Sequence, residues 1–82
     1  MQLDSVYELM PTNGRKSFYG KAKVKVYDDG TKVLQSYNTD MMKITPDGKK
    51  IRLTDVWSMT SGNHIASFAG INKKEFFNLP TE

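Results

Sequence analysis

The chain has 82 residues, a net charge of +3, 38% hydrophobic residues and no cysteine. A single domain of this size buries only about two thirds of its unfolded surface, so the core is small and a homo-oligomer is one way to enlarge it. The lack of cysteine excludes disulfides, zinc–thiolate sites and thiol nucleophiles, and it favours a reducing, cytoplasmic location. No signal-peptide pattern is present, and no apolar run approaches the roughly 20 residues that span a bilayer, so we expect no membrane partner.

Positive charge is concentrated in one part of the chain. Residues 15–52 carry ten Lys or Arg against four Asp, which is a net of +6, whereas the remaining residues carry two Lys against five acids, a net of −3. An asymmetry of this size concerns partners and long-range attraction and says nothing about fold.

Strand periodicity dominates the first two thirds of the chain. Residues 3–10 could form a strand or a short helix, and the β-branched and aromatic content at Val6 and Tyr7 favours a strand. Residues 15–27 are the clearest strand, because from Lys21 onward lysines alternate with small apolar residues. Further strands are predicted at residues 31–37, 41–45 and 50–56, with tight turns at 28–30 and 46–48 and a break or sharp bend at 38–40. In the last strand we expect Ile51 to face the core and Arg52 to face outward.

The spacing of apolar residues changes from that of a strand to that of a helix at Trp57. Trp57, Ser61, Ile65 and Phe68 recur at helical spacing. A helix is predicted from Ser58 or Thr60, either of which could cap it, to a terminating Gly70.

A second, very short helix follows. Asn72 and Glu75 have the spacing of a capping box, and Pro80 ends the segment. Phe76 and Phe77 are then expected to close the core. The predicted fold is therefore α+β: one domain with an antiparallel meander of four or five strands, one α-helix and a short C-terminal helix.

The lysines of the meander predict one basic sheet face opposite the helix. A polyanion is the simplest partner for such a face, and the interleaving of cations with aromatic residues before the first lysine strand is compatible with base stacking. No base-reading motif is present, so binding would be non-specific and suited to single-stranded nucleic acid. The predicted nucleic-acid-binding residues are Arg15, Lys16, Phe18, Tyr19, Lys21, Lys23, Lys25, Lys32, Lys43 and Arg52.

Signals for catalysis are weak. His64 with Asp55 and nearby hydroxyls lacks the Gly-x-Ser-x-Gly turn of a hydrolase, so a histidine that bonds to backbone or to a neighbouring hydroxyl is expected. One histidine among scattered carboxylates predicts no metal site. Residues 14–21 fail the spacing of a phosphate loop. No enzyme activity and no cofactor are expected.

Three segments together carry a family resemblance. They are residues 15–24, 34–44 and 57–68, followed by 72–80. They resemble small uncharacterised phage- and prophage-encoded proteins with a Ser-Phe-Tyr-Gly-Lys-Ala strand, a Ser-Tyr-Asn/Asp-Thr strand and a Ser-x-Thr-Thr-x-x-His-Ile-x-x-Phe helix. Ser61 replaces a threonine of that pattern, and Phe76 replaces a tryptophan. The resemblance implies a viral or mobile-element origin and no mechanism.

Two functional hypotheses follow. The first is a non-catalytic phage accessory protein that binds nucleic acid through the basic face. The second is a protein-binding inhibitor of a host factor, with a role against host defence.

Overall fold

The computed structural model describes residues 2–9 and 21–81. Five strands form one antiparallel sheet in the order β1-β2-β3-β4-β5, so every strand pairs with its neighbour in sequence. Two helices follow, which confirms the predicted α+β arrangement and the strand interpretation of the N-terminal segment. The strands are β1 Leu3–Glu8, β2 Ala22–Tyr27, β3 Lys32–Ser36, β4 Thr39–Ile44 and β5 Lys50–Arg52, and the helices are α1 Met59–Ala69 and α2 Lys73–Phe77.

The hairpin turns agree with the sequence at two of three positions. Gly30 and Gly48 have φ angles of 94° and 91° and close the β2–β3 and β4–β5 turns, because glycine enters this region without a steric penalty. The β3–β4 turn is tighter than predicted. Only Tyr37 and Asn38 separate the paired residues Ser36 and Thr39. Tyr37 has a positive φ of 55°, and its N–H donates to the Lys21 carbonyl at 2.7 Å.

The core lies between one sheet face and the helices. Val24 pairs with Leu34, and Leu34 pairs with Met42, so these side chains share the helix-side face. A register shift in the β3–β4 pair leaves Met41 without a partner, and Met41 and Met42 are both buried. The core also contains Leu9, Ala22, Ile65 and Phe76, and Trp57 and Phe68 are partly buried against it.

Both helices begin where the sequence predicts and α1 ends as predicted, whereas α2, predicted over residues 72–79, already ends at Phe77. Ser58 caps α1 by accepting a bond from the Ser61 N–H, and Gly70 ends the helix with a left-handed φ of 70°. Asn72 and Glu75 form the predicted capping box of α2. The caps matter because α2 places Phe76 in the core and holds Phe77 against Trp57, with ring centroids 6.0 Å apart.

Strand β5 is shorter than predicted and faces the other way. It ends at Arg52, and Arg52 pairs with Met42 on the helix-side face, while Ile51 pairs with Lys43 on the opposite face. The expectation that Ile51 points inward and Arg52 outward is therefore wrong. The Arg52 guanidinium lies over the Phe76 and Phe77 rings, 5.9 and 5.2 Å from their centroids, and pairs with Asp55. These contacts offset the cost of placing a cation beside the core.

Candidate functional site

The sheet face that the helices leave open holds part of the predicted nucleic-acid site. We call it the outer sheet face; it is defined by the register rows Val6–Lys25–Val33–Lys43–Ile51 and Glu8–Lys23–Gln35–Asp40. Three of the ten predicted residues, Lys23, Lys25 and Lys43, lie on it. Lys21 precedes β2 at its end, with its ammonium 5.8 Å from the centroid of the Tyr37 ring. Arg15, Lys16, Phe18 and Tyr19 lie outside the described residues.

Lys32 and Arg52 do not share that face. Lys32 pairs with Val26 and Ile44, and Arg52 pairs with Met42, so the register places both residues on the helix-side face. The expectation of one face carrying all these cations is wrong. Pairing register, which the sequence leaves open, assigns each strand residue to a face.

The outer sheet face carries both signs of charge. Lys25 Nζ lies 2.7 Å from Asp40 Oδ1, and Glu8 pairs across the strands with Lys23. Val33 is only 5% exposed, although neither helix lies on its side. The aliphatic parts of neighbouring Lys25 and Lys43 are long enough to cover it. Three lysines and two carboxylates on this face leave a much weaker positive field than the sequence predicts.

His64 belongs to a buried hydrogen-bonded chain that joins α1 to β3. Its Nδ1 lies 2.8 Å from Ser36 Oγ, Ser36 Oγ lies 3.4 Å from Ser61 Oγ, and Ser58 Oγ donates to Ser61 Oγ at 3.1 Å. His64 is 1% exposed. Burial lowers the pKa of His64 below its ordinary value of 6.5, and the nearby Lys21 cation lowers it further. The predicted bond from the imidazole to a neighbouring hydroxyl is confirmed.

The buried members of this chain, Ser36, Ser61 and His64, are closed to a substrate, whereas Ser58 at the start of α1 is exposed. Ser36 is 2% exposed, like the imidazole it contacts, whereas a nucleophile and its base must reach a substrate atom directly. Within residues 2–9 and 21–81, no group of three or more His, Asp or Glu residues is placed to bind a metal ion. The arrangement fits a buried polar link between the helix and the sheet.

The helices form a second surface, which sequence reasoning missed. A groove of about 470 Å³ lies where α1 meets the segment that leads into α2. Its floor is Trp57, and Gly62 makes room for that ring: a Cβ at Gly62 would lie 2.7 Å from Trp57 Cζ2. We call it the helix groove, lined by Trp57, Met59, Gly62, Ala66, Ile71 and Lys73 together with two asparagines.

The helix groove is apolar and almost free of charge. Met59 is 86% exposed at its edge, the largest exposure among the hydrophobic side chains of the described residues. Residues 56–72 contain no Asp, Glu, Lys or Arg in a chain that is 26% charged, and Lys73 supplies a single cation at the rim. The uncharged run is the signal that could have identified this surface from the sequence.

Neither helix in the described part of the chain combines the length and apolarity of a bilayer-spanning segment.

Comparison with known families identifies the family of this chain. A family model described as "family of unknown function (DUF8033)" matches residues 7–77. The chain belongs to this family. The match covers the last two residues of β1, the whole of β2 to β5 and both helices. Searches of curated proteins and of solved structures found no match.

Proposed function

We propose that this DUF8033 protein is a non-catalytic binding module that holds a partner protein in the helix groove. The observation that carries the proposal is the exposed Met59 beside Trp57 on a helix without charged residues. Interface centres are depleted of charge and enriched in methionine and aromatic residues. A surface helix of a globular protein usually has an apolar face toward the core and a charged or polar face toward water. An exposed helix face without any charged residue therefore favours docking of a partner.

The groove chemistry indicates what the partner presents. The apolar floor suits an aliphatic or aromatic anchor side chain, and a groove of this size accepts one or two such groups. Lys73 at the rim favours a carboxylate beside the anchor, because opposite charges steer encounter and fix orientation. The partner segment would therefore combine a large apolar residue with a neighbouring Asp or Glu.

A charge placed in the groove tests the proposal. Met59→Lys puts a cation where the partner's apolar anchor would lie, whereas Thr60→Lys puts the same charge on an exposed neighbouring position that does not line the groove. The immobilised protein and both variants are exposed to nuclease-treated lysate of the organism that encodes the protein. We expect a stoichiometric protein that binds the parent chain and Thr60→Lys and is lost from Met59→Lys, with affinity lower by tenfold or more.

The same variants separate the alternatives. A partner retained equally by both variants would remove the helix groove from the proposal. If the parent chain forms dimers and the Met59→Lys variant is monomeric, the occupant of the helix groove is a second copy of the chain. The homo-oligomer expected from the small core would then explain the exposed surface.

A second candidate function is weak, non-specific binding of single-stranded nucleic acid by the outer sheet face. The position of Lys23 and Lys43 on a face that neither helix covers favours it. Binding of a generic oligonucleotide should weaken steeply between about 50 and 200 mM salt. Lys23→Gln with Lys43→Gln should reduce the salt slope by about two, and Lys74→Gln on α2 serves as the control. An oligonucleotide affinity that does not change with salt concentration would contradict this candidate function.

The origin of the chain also belongs to the proposal. The resemblance to phage and prophage proteins supports a mobile-element accessory protein whose partner is a host factor, as an inhibitor of host defence would be. Phage genes flanking the coding sequence would support this origin, and a cellular operon would oppose it.

A further inference from the structure

A second groove lies on the helix-side face of the sheet, away from the helix groove. It is found where the turns that follow β2 and β4 approach each other. A Cβ placed on Gly30 would lie 3.6 Å from the Cβ of Pro46, so the two turns are in contact distance. We call it the sheet groove, with a volume of about 490 Å³ and walls that include Tyr7, Leu9, Lys32, Ile44, Pro46 and Phe68.

The walls of the sheet groove are partly apolar and partly polar. Gly30, Thr45, Gly48 and Ser67 also line it, and its apolar part adjoins the core. Leu9 is buried in the core, and Ile44 and Phe68 are partly buried against it, so the groove opens directly onto the hydrophobic interior. Tyr7 is 47% exposed at the mouth and shares the helix-side face with Val24 through their pairing. A ligand that enters would cover apolar surface that the fold leaves in contact with water.

Lys32 is the one charged residue among the described residues that line this groove. Its register pairs it with Val26 and Ile44, two apolar neighbours. Within the described part of the chain the Lys32 ammonium forms neither an ion pair nor a hydrogen bond, unlike the side chains of Lys25, which pairs with Asp40, and Arg52, which pairs with Asp55. An ammonium without a partner among the described residues therefore lies beside the apolar wall formed by Ile44 and Phe68.

We propose that the sheet groove binds a small carboxylic acid with an apolar body. The Lys32 ammonium pairs with the carboxylate, and the body lies against Ile44 and Phe68. The volume lies within the range of about 300–1,000 Å³ that is usual for small-molecule sites. A phosphate ester fits less well, because phosphate sites converge several cationic or backbone donors on one group, and this groove offers a single cation.

The site goes beyond the protein-binding role proposed for the helices, because none of its lining residues lines the helix groove. The two proposals can therefore fail separately. Met59→Lys leaves the sheet groove intact and should bind the carboxylic acid as the parent chain does.

Octanoate and octanol are a matched pair of probes, since they share the apolar chain and differ in charge. Titrated into the full chain below the micelle concentration, octanoate should shift the amide resonances of Lys32, Ile44 and Phe68 and bind about tenfold tighter than octanol. Lys32→Gln should remove that difference by weakening octanoate about tenfold and leaving octanol unchanged. Lys50→Gln is the control, because Lys50 pairs with Ile44 on the same face but does not line the groove.

A second variant tests the apolar wall. Tyr7→Ser removes an exposed ring at the mouth and should weaken octanoate and octanol alike by several-fold, with the amide spectrum otherwise preserved. Equal affinity for the two probes in the parent chain, an unchanged octanoate affinity in Lys32→Gln, or shifts spread over the whole surface would each overturn the proposal.

Discussion

The surroundings of the His64 side chain determine its pKa. The His64 imidazole is enclosed between α1 and β3 and contacts Ser36 and the Tyr37 ring, whose centroid is 6.0 Å from its own. The Lys21 ammonium lies 5.8 Å from the centroid of the same tyrosine ring. Desolvation disfavours the protonated imidazole, and the like charge of Lys21 does so as well, so the pKa of His64 in the folded protein is lowered.

This environment predicts a pH dependence of folding. In the folded state the pKa of His64 lies below the ordinary 6.5, so the unfolded chain binds a proton more readily. Stability should be full above about pH 6.5 and should fall as the pH drops from there toward the folded pKa. Urea unfolding between pH 7.5 and about 5, above the range in which ordinary carboxylates titrate, measures the effect.

His64→Gln is the matched variant for that measurement. It should be destabilised at all pH values by about 1–3 kcal/mol through the altered buried bond to Ser36, and it should lose the decline between pH 6.5 and 5. An identical decline in the variant would assign the pH dependence to other groups.

Elements in this chain depend on their caps because they are short. Helix α2 has only five residues, and isolated helices of that length do not persist in water. The capping box satisfies two backbone donors, with Glu75 N–H donating to Asn72 Oδ1 at 2.9 Å and Asn72 N–H donating to Glu75 Oε1 at 3.2 Å. The cap therefore fixes the backbone that carries Phe76 into the core.

Asn72→Ala should lower the free energy of unfolding by about 1 kcal/mol, since it removes the side-chain acceptor at the start of α2. Asn78→Ala is the matched control: Asn78 ends the same helix, and no side-chain hydrogen bond of Asn78 is formed among the described residues. Chemical denaturation followed by Trp57 fluorescence reports both changes. Equal losses in the two variants would contradict a specific role for the cap.

At the scale of the whole molecule, one small core holds the sheet to its C-terminal segment. Phe76 is fully buried between the sheet and Trp57, 5.3 Å from the indole centroid. The Arg52 N–H donates to the Pro80 carbonyl at 2.8 Å, and Arg52 pairs with Thr81, so the tail also covers the free edge of β5. A covered edge is protected from pairing with other chains.

Phe76→Ala should cost about 3–5 kcal/mol, which is a large share of the roughly 5–15 kcal/mol typical of a folded domain. Phe77 is adjacent but 36% exposed, so Phe77→Ala should cost about 1 kcal/mol. Near-ultraviolet circular dichroism and urea unfolding compare the two. Similar stabilities for both variants would show that α2 contributes little to the core.

Local patterns in the sequence determined which segments are strands and helices and where both helices begin. Alternation from Lys21 to Tyr27, glycines at positions that need a positive φ, and the Ser58 and Asn72 caps each act within a few residues. Interactions between residues this close in sequence can be predicted from the sequence alone. The meander could also be predicted, because a tight turn places two consecutive strands side by side so that they pair.

Only the tertiary structure decided which side chains share a surface. In β3 the adjacent Val33 and Leu34 make the alternation ambiguous, and their pairing with β2 and β4 assigns Lys32 to the helix-side face. Arg52 reaches that face because Phe76 and Phe77, distant in sequence, receive its guanidinium. Register and long-range contacts are properties of the assembled sheet, so the single basic face predicted from composition divides into two faces with different charge.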